Sequence, residues 1–109
     1  MRNDRERLLD IQEAIEEIKK YAVRGKESFR NDELVQTWIL HHLQILGEAA
    51  AKISDEFQEQ HPDVLWYKII GMRNILVHDY FRIDINAVWS VVENDIPVLE
   101  KQIKQLLQE

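Results

Sequence analysis

The sequence predicts an all-α protein, on three observations. Three glycines and two prolines in 109 residues leave few breaks for the tight turns of a sheet. Apolar residues recur every three or four positions, and no segment keeps the strict alternation typical of a half-buried strand. Hydrophobic residues make up 45% of the chain, enough for a core without disulfides or a structural metal. We therefore expect one domain over residues 1–109, an up-and-down bundle of four to five helices.

Two long helices joined by a polar linker are predicted in the N-terminal half. Apolar residues at helical spacing run from about residue 4 to residue 24, and Asn3 is placed to cap their start. Lys26–Asn31 is predicted to be the linker. Asp32 can cap a second helix over residues 33–53. Because this helix is apolar on many sides, we expect it to be central.

A third helix is predicted over Asp63–Val77, after a polar connector at Asp55–Gln60. Pro62 is expected in its first turn, where the missing N–H does no harm. Its apolar residues extend around most of the helix, so we expect it to be mostly buried. Gly47, in the second helix, costs roughly 1 kcal/mol relative to alanine and is interpreted as permitting close helix packing.

The last predicted helix is interrupted by a proline. Asp84 is placed as its N-cap. Pro97 disfavours a helical conformation at the residue before it, so the helix should kink or restart near Asn94–Asp95 and resume over Val98–Leu107.

Composition limits the possible functions. There is no cysteine, which excludes a disulfide framework and a thiolate metal site. The net charge of −6 argues against a general nucleic-acid coating protein but allows a nuclease with a small basic site. No run of about 18 apolar residues is present, so no membrane span is expected. The charged N-terminus does not resemble a signal peptide, and we expect a cytoplasmic protein.

The strongest site candidate is the run Gly71–Phe81, where Arg73, Asn74, His78 and Tyr80 interrupt an apolar stretch. On a continuous helix Arg73 and His78 lie about 140° apart around the axis and cannot share a face. We therefore expect the helix to end near Val77 or His78, or the site to combine groups from two chains.

The chemistry of these side chains suits cleavage of a phosphodiester. Histidine can move a proton near neutral pH, and arginine can hold a phosphate through two parallel hydrogen bonds. His78 would act as acid or base and Arg73 would stabilise the transition state, with Asn74 orienting either group. One histidine per chain is few for a two-proton reaction, and a dimer would supply a second. In a purely structural alternative, Arg73 pairs with Glu48 or Asp79.

Metal chemistry has little support in the sequence. His41 and His42 are adjacent, so their rings point to different sides of a helix, whereas a metal site needs two histidines on one face and a third ligand. We expect no metal and no cofactor. The three tryptophans are interpreted as core or interface residues rather than as a platform for base stacking.

Three segments of the chain resemble one protein family. Arg73–Tyr80 resembles the Arg-x4-His-x-Tyr motif of HEPN-domain ribonuclease toxins of the HepT type. Leu46–Ala50 resembles the family's Gly-Glu-Ala segment, and His61–Trp66 resembles its entry to the motif helix. The resemblance covers nearly the whole chain.

The resemblance implies a HEPN-like bundle and a homodimer whose motifs face a shared cleft. It implies metal-independent endoribonuclease activity on tRNA or mRNA, with Arg73 and His78 catalytic and Asn74, Tyr80 and Glu48 supporting. It also implies neutralisation by an antitoxin, an MntA-like nucleotidyltransferase, that attaches AMP to Tyr80. Two alternatives stay open: a non-catalytic HEPN module that binds a nucleotidyltransferase or a nucleotide, and a structural helical dimer.

Overall fold

The structure, a computed structural model, describes residues 3–109, most of which are helical; residues 1 and 2 of the predicted domain lie outside this range. No strand occurs within the described range, and the all-α prediction is confirmed. The α-helices are α1 (Asp4–Ala22), α2 (Lys26–Asn31), α3 (Glu33–Ala51), α4 (Asp55–Gln60), α5 (Trp66–His78), α6 (Ile85–Ser90) and α7 (Ile96–Gln108). A 3₁₀ turn (Tyr80–Arg82) follows α5, and a π-helical turn (Val91–Asp95) joins α6 to α7.

Side-chain caps fix the starts of the two long N-terminal helices, as the sequence predicts. The Asn3 side chain accepts a hydrogen bond from the backbone N–H of Glu6 at 2.9 Å. The Asp32 carboxylate accepts from the backbone N–H of Leu34 at 2.9 Å and that of Val35 at 3.4 Å. Such caps satisfy backbone donors that the helix itself leaves unpaired.

The predicted linker and connector are short helices, α2 and α4, so that part of the prediction is wrong. Each segment is polar but carries one phenylalanine that anchors it. Phe29 is completely buried in the core, and Phe57 is half-buried against it. Ser54 also caps α4, since its hydroxyl accepts from the Phe57 N–H at 3.2 Å. One buried ring in a polar segment gives no repeating apolar pattern, so hydrophobic periodicity does not reveal these short helices.

The predicted start of the third long helix is also wrong. The helix, α5, begins at Trp66, and Pro62 lies in the turn before it rather than in its first turn. Trp66 is 5% exposed, and its indole N–H donates to the His61 carbonyl at 3.0 Å. This anchored tryptophan holds the preceding turn against the core.

The π-helical turn lies where the proline predicts a break. It spans Val91–Asp95 and so includes the predicted kink at Asn94–Asp95. Pro97 sits in the first turn of α7, where its missing N–H costs little. The helix therefore resumes at Ile96, two residues earlier than predicted.

The core is built around α3, which packs against α1 on one side and α5 on the other. The predicted central position of this helix is confirmed. The largest completely buried side chains come from α1, α2, α3 and α7, and they are Ile11, Ile15, Ile18, Phe29, Val35, Ile39, Leu46 and Ile103. No helix within residues 3–109 is long and apolar enough to cross a membrane.

The α5 helix is far less buried than its composition predicts. Only Trp66 and Leu76 are buried, because α5 packs chiefly against α3. Its opposite side carries exposed apolar side chains, including Tyr67 (76% exposed) and Ile75 (48%). The expectation of a mostly buried helix is therefore wrong for the single chain.

Candidate active site

The motif helix ends at the candidate histidine. His78 is the last residue of α5, and the backbone N–H of Asp79 donates to the Ile75 carbonyl at 2.9 Å to close the final turn. The predicted helix end near Val77 or His78 is confirmed. The helix does not end before His78, however, so Arg73 and His78 stay about 140° apart around the axis. The two groups project from different sides of α5.

Arg73 lies against α3 with its side chain 28% exposed. Its Nη1 donates to Asn74 Oδ1 at 2.9 Å, and its Nη2 lies 3.7 Å from Glu48 Oε1. Its Nε is buried and has no hydrogen-bond partner among residues 3–109. A guanidinium has five N–H donors, so the group keeps donors for an anion. Asn74 therefore orients the arginine, and Glu48 balances part of its charge.

The contact between Arg73 and Glu48 is also the one that the structural alternative anticipates. Asp79, the other candidate partner, lies instead 3.6 Å from Arg82 Nε. At 3.7 Å and with the Glu48 side chain 41% exposed, the pair is not a deeply buried ion pair. This geometry fits both an arginine that only stabilises the fold and an arginine that is positioned to bind a phosphate.

Gly47 is where α3 and α5 come closest to each other. A Cβ added at Gly47 would overlap Arg73 Cβ, lie 2.9 Å from Arg73 Cγ and lie 3.2 Å from the Ile69 carbonyl oxygen. Close packing, the role predicted for this glycine, is confirmed. The carbon stem of Arg73 rests on the backbone of α3 at this point.

His78 is exposed on the opposite side of α5 from the core. Tyr67, Gly71, Asn74 and His78 follow one another at intervals of four, three and four residues, which places them on one stripe of the helix. A Cβ built at Gly71 meets no atom within 4 Å in the part of the chain that the structure describes. We call this stripe, with the adjacent Ile75, the outer face of α5.

The 3₁₀ turn after His78 presents two aromatic rings to solvent. Tyr80 is 57% exposed and Phe81 is 101% exposed, with their ring centroids 6.2 Å apart. The sequence pattern assigns no function to Phe81, because apolar residues in an apolar run are expected in the core. Its position three residues after a candidate catalytic histidine was the available signal.

His42 and His61 take part in ordinary packing, and His41 is exposed on α3. His42 Nδ1 lies 2.9 Å from the Trp38 carbonyl, which can only accept, so that nitrogen carries the proton. The His61 ring stacks beside Phe57, with centroids 4.5 Å apart. Within residues 3–109, no three His, Asp or Glu side chains are grouped to hold a metal ion.

The helical bundle and the Arg-x4-His-x-Tyr helix define a HEPN-class protein. Residues 11–106 match the family model described as "Ribonuclease HepT-like". The chain therefore belongs to the HepT-like ribonuclease family.

Relatives in both archaea and bacteria carry ribonuclease names. The chain is 35% identical over 106 residues to "Probable ribonuclease HepT" of Thermococcus cleftensis, covering 96% of each chain. It is 39% identical over 82 residues to a provisionally named RNase of Caldanaerobacter subterraneus subsp. tengcongensis, covering 75% of this chain and 73% of the relative. A provisionally named RNase of Methanocaldococcus jannaschii is 37% identical over 76 residues, 70% of each chain. No solved structure matches the chain.

Proposed function

We propose that this protein is a metal-independent endoribonuclease that acts as a homodimer, with Arg73 and His78 as its catalytic residues. One observation carries the proposal: α5 carries on one side an arginine that uses only some of its N–H donors within its own chain, and on the other side an exposed histidine. Membership of a ribonuclease family supports RNA as the substrate. Surfaces of the protein other than Arg73 and His78 would select the tRNA or mRNA that is cut.

The reaction uses the 2′-hydroxyl of the RNA as its nucleophile. A neutral His78 takes the 2′-hydroxyl proton while the oxygen forms a bond to phosphorus. Arg73 stabilises the charge on the equatorial oxygens of the transition state. The bond from phosphorus to the 5′-oxygen then breaks, and a protonated His78 of the partner subunit gives that oxygen a proton. The products are a 2′,3′-cyclic phosphate and a 5′-hydroxyl.

The outer face of α5 supports the proposed homodimer. Tyr67 and Ile75 on this face are exposed apolar side chains that α3 does not cover, and the exposed Phe81 lies in the turn that follows α5. Gly71 lies between Tyr67 and Ile75, costs about 1 kcal/mol relative to alanine, and a Cβ built on it meets no atom of residues 3–109 within 4 Å. A second α5 crossing close to Gly71 would explain the glycine and would bring two copies of His78 together. Trp66, a sequence-based candidate for this interface, is buried inside the chain and is not part of it.

The decisive test is RNA cleavage by the purified protein in the presence of EDTA. We expect His78→Ala and Arg73→Ala each to lower the rate by about 10² to 10⁴ while leaving the helical circular-dichroism spectrum unchanged. His41→Ala, which removes an exposed histidine from α3, is the matched control and should retain full activity. Products without a cyclic phosphate, or complete inhibition by EDTA, would contradict the mechanism.

The alternative is a non-catalytic HEPN module that binds a nucleotidyltransferase or a nucleotide. The Arg73–Glu48 contact favours it, because an arginine paired within its own chain also serves packing. The same cleavage assay separates the two functions. A protein that leaves RNA intact, yet binds a nucleotidyltransferase equally well with and without His78, is a docking module.

We further propose that the protein is the toxin of a toxin–antitoxin pair and that an MntA-like nucleotidyltransferase silences it by attaching AMP to Tyr80. The 57% exposure of Tyr80, two residues beyond His78, supports this role. The phenolic oxygen would attack the α-phosphorus of a nucleoside triphosphate, and diphosphate would leave. The attached phosphate would introduce negative charge near Arg73 and occupy the space of an RNA phosphate.

A further inference from the structure

Two consecutive residues of α3 determine where the Arg73 side chain lies. Gly47 leaves the space in which Arg73 Cβ and Cγ rest on the helix backbone. Glu48 then meets the far end of the same side chain, with 3.7 Å between its Oε1 and Arg73 Nη2. Gln44, one turn earlier, donates to that Glu48 oxygen at 3.5 Å. The aliphatic part and the guanidinium group of Arg73 are thus both positioned by α3.

The contacts that Glu48 and Asn74 make with the guanidinium group of Arg73 are weak enough for an anion to replace them. Glu48 touches one of the two terminal nitrogens of Arg73, and Asn74 accepts from the other. A bidentate phosphate also uses two parallel N–H donors of the guanidinium. The Nε–H is buried, so the exposed donors available to a phosphate are those on the two terminal nitrogens. A phosphate bound there competes directly with the Glu48 carboxylate.

We propose that Glu48 is a positioning residue that aligns Arg73 in the free protein and is displaced from it by the RNA phosphate. Gly47 keeps the stem of the arginine fixed during this exchange. The proposal rests on Arg73 being the phosphate-binding group of the proposed function. Glu48 then has two opposite effects: its charge weakens RNA binding, and its contact keeps the guanidinium aligned for the chemical step.

Two substitutions separate these effects. Glu48→Gln removes the charge but keeps the size and an oxygen facing Arg73, so we expect RNA to bind about two- to fivefold more tightly and kcat to fall much less than it does for Glu48→Ala. Glu48→Ala removes the charge and the contact together. We expect comparable tightening of RNA binding but a fall in kcat of about 10- to 100-fold, because a misaligned catalytic group is costly.

Binding is measured on the intact protein with an RNA oligonucleotide that is 2′-O-methylated throughout, which cannot be cleaved. The Glu48→Gln substitution is also made in the Arg73→Ala background, where we expect it to leave the affinity unchanged. Glu59→Gln, on the exposed α4 helix, changes the net charge by the same amount and is the matched control.

Two results would overturn the proposal. The first is an unchanged or weaker RNA affinity for Glu48→Gln in the otherwise native chain. The second is tightening that persists without Arg73 or that Glu59→Gln reproduces, which would show a general charge effect. Because binding is measured without cleavage, a protein that proves inactive on RNA but tightens as expected contradicts only the proposed catalytic function.

Discussion

The contact between Gly47 and Arg73 makes a sharp prediction for one added methyl group. Gly47→Ala gains about 1 kcal/mol of helix propensity. The new Cβ, however, would overlap Arg73 Cβ and lie 3.2 Å from the Ile69 backbone oxygen. Neither is the end of a flexible side chain, so α5 must shift away from α3. Overpacking of this kind costs about 1 to 3 kcal/mol. Because the added Cβ meets a Cβ and a backbone oxygen, the upper part of that range, about 2 to 3 kcal/mol, applies, and we expect a net loss of roughly 1 to 2 kcal/mol.

Thermal unfolding, followed by circular dichroism at several protein concentrations, measures this loss. A domain of this size should lose about 5 to 10 °C in Tm. Gly71→Ala is the matched control, since it adds the same methyl group in the middle of α5, where the new Cβ meets no atom of residues 3–109 within 4 Å. It should stabilise the single chain by about 0.5 to 1 kcal/mol. A Gly47→Ala protein as stable as the parent would refute the reasoning, because it would show that the two helices separate at no cost.

Three further predictions concern association, pH and modification. Gly71→Ala should shift the protein toward a 13.0 kDa monomer in sedimentation, and a parent that is already monomeric and active would contradict the dimer. Lys19 donates to Glu100 at 2.8 Å and lowers the pKa of that carboxyl, so the stability from this pair is present above about pH 4.5 and is lost as the pH falls through the lowered pKa. Glu100→Gln should flatten the acid side of the stability curve, as followed by urea unfolding. Tyr80→Phe should keep the fold and escape inhibition by a co-expressed nucleotidyltransferase, and mass spectrometry of the parent should show added AMP; equal inhibition of both proteins would favour simple occlusion.

Local chemistry predicts the helix ends better than the burial of the helices. Asn3 and Asp32 cap α1 and α3 because a short oxygen-bearing side chain can satisfy nearby backbone donors whatever the rest of the chain does. The helix end at His78 is predicted on different grounds, the positions of Arg73 and His78 in the motif, and the two side chains still project from different sides of α5. The short helices around Phe29 and Phe57 are missed, because one buried ring in a polar segment produces no period.

The arrangement around Arg73 depends on contacts that local sequence does not specify. Gly47 and Arg73 are 26 residues apart, and only the packing of α3 on α5 brings them together. The sequence identifies both residues and offers Glu48 as a partner. It cannot show that the glycine carries the stem of the arginine, since a glycine that permits close packing does not indicate which side chain will occupy the space.

The exposed side of α5 explains why the helix is wrongly predicted to be mostly buried, and the same surface bears on the proposed reaction. Hydrophobic periodicity reports that a surface is to be covered, and it does not distinguish covering by the same chain from covering by a second copy. A twofold pairing through the outer face would cover Tyr67 and Ile75 and would place each residue near the axis opposite its own copy. His78 lies on that face, so the symmetry that would bury the apolar side chains would also turn one histidine per chain into an acid and a base. Arg73 lies on the side toward α3, where Gly47 and Glu48 hold it, but its Nη1 donates to Asn74 on the outer face, so a phosphate bound by the guanidinium would lie at the edge of the paired surface.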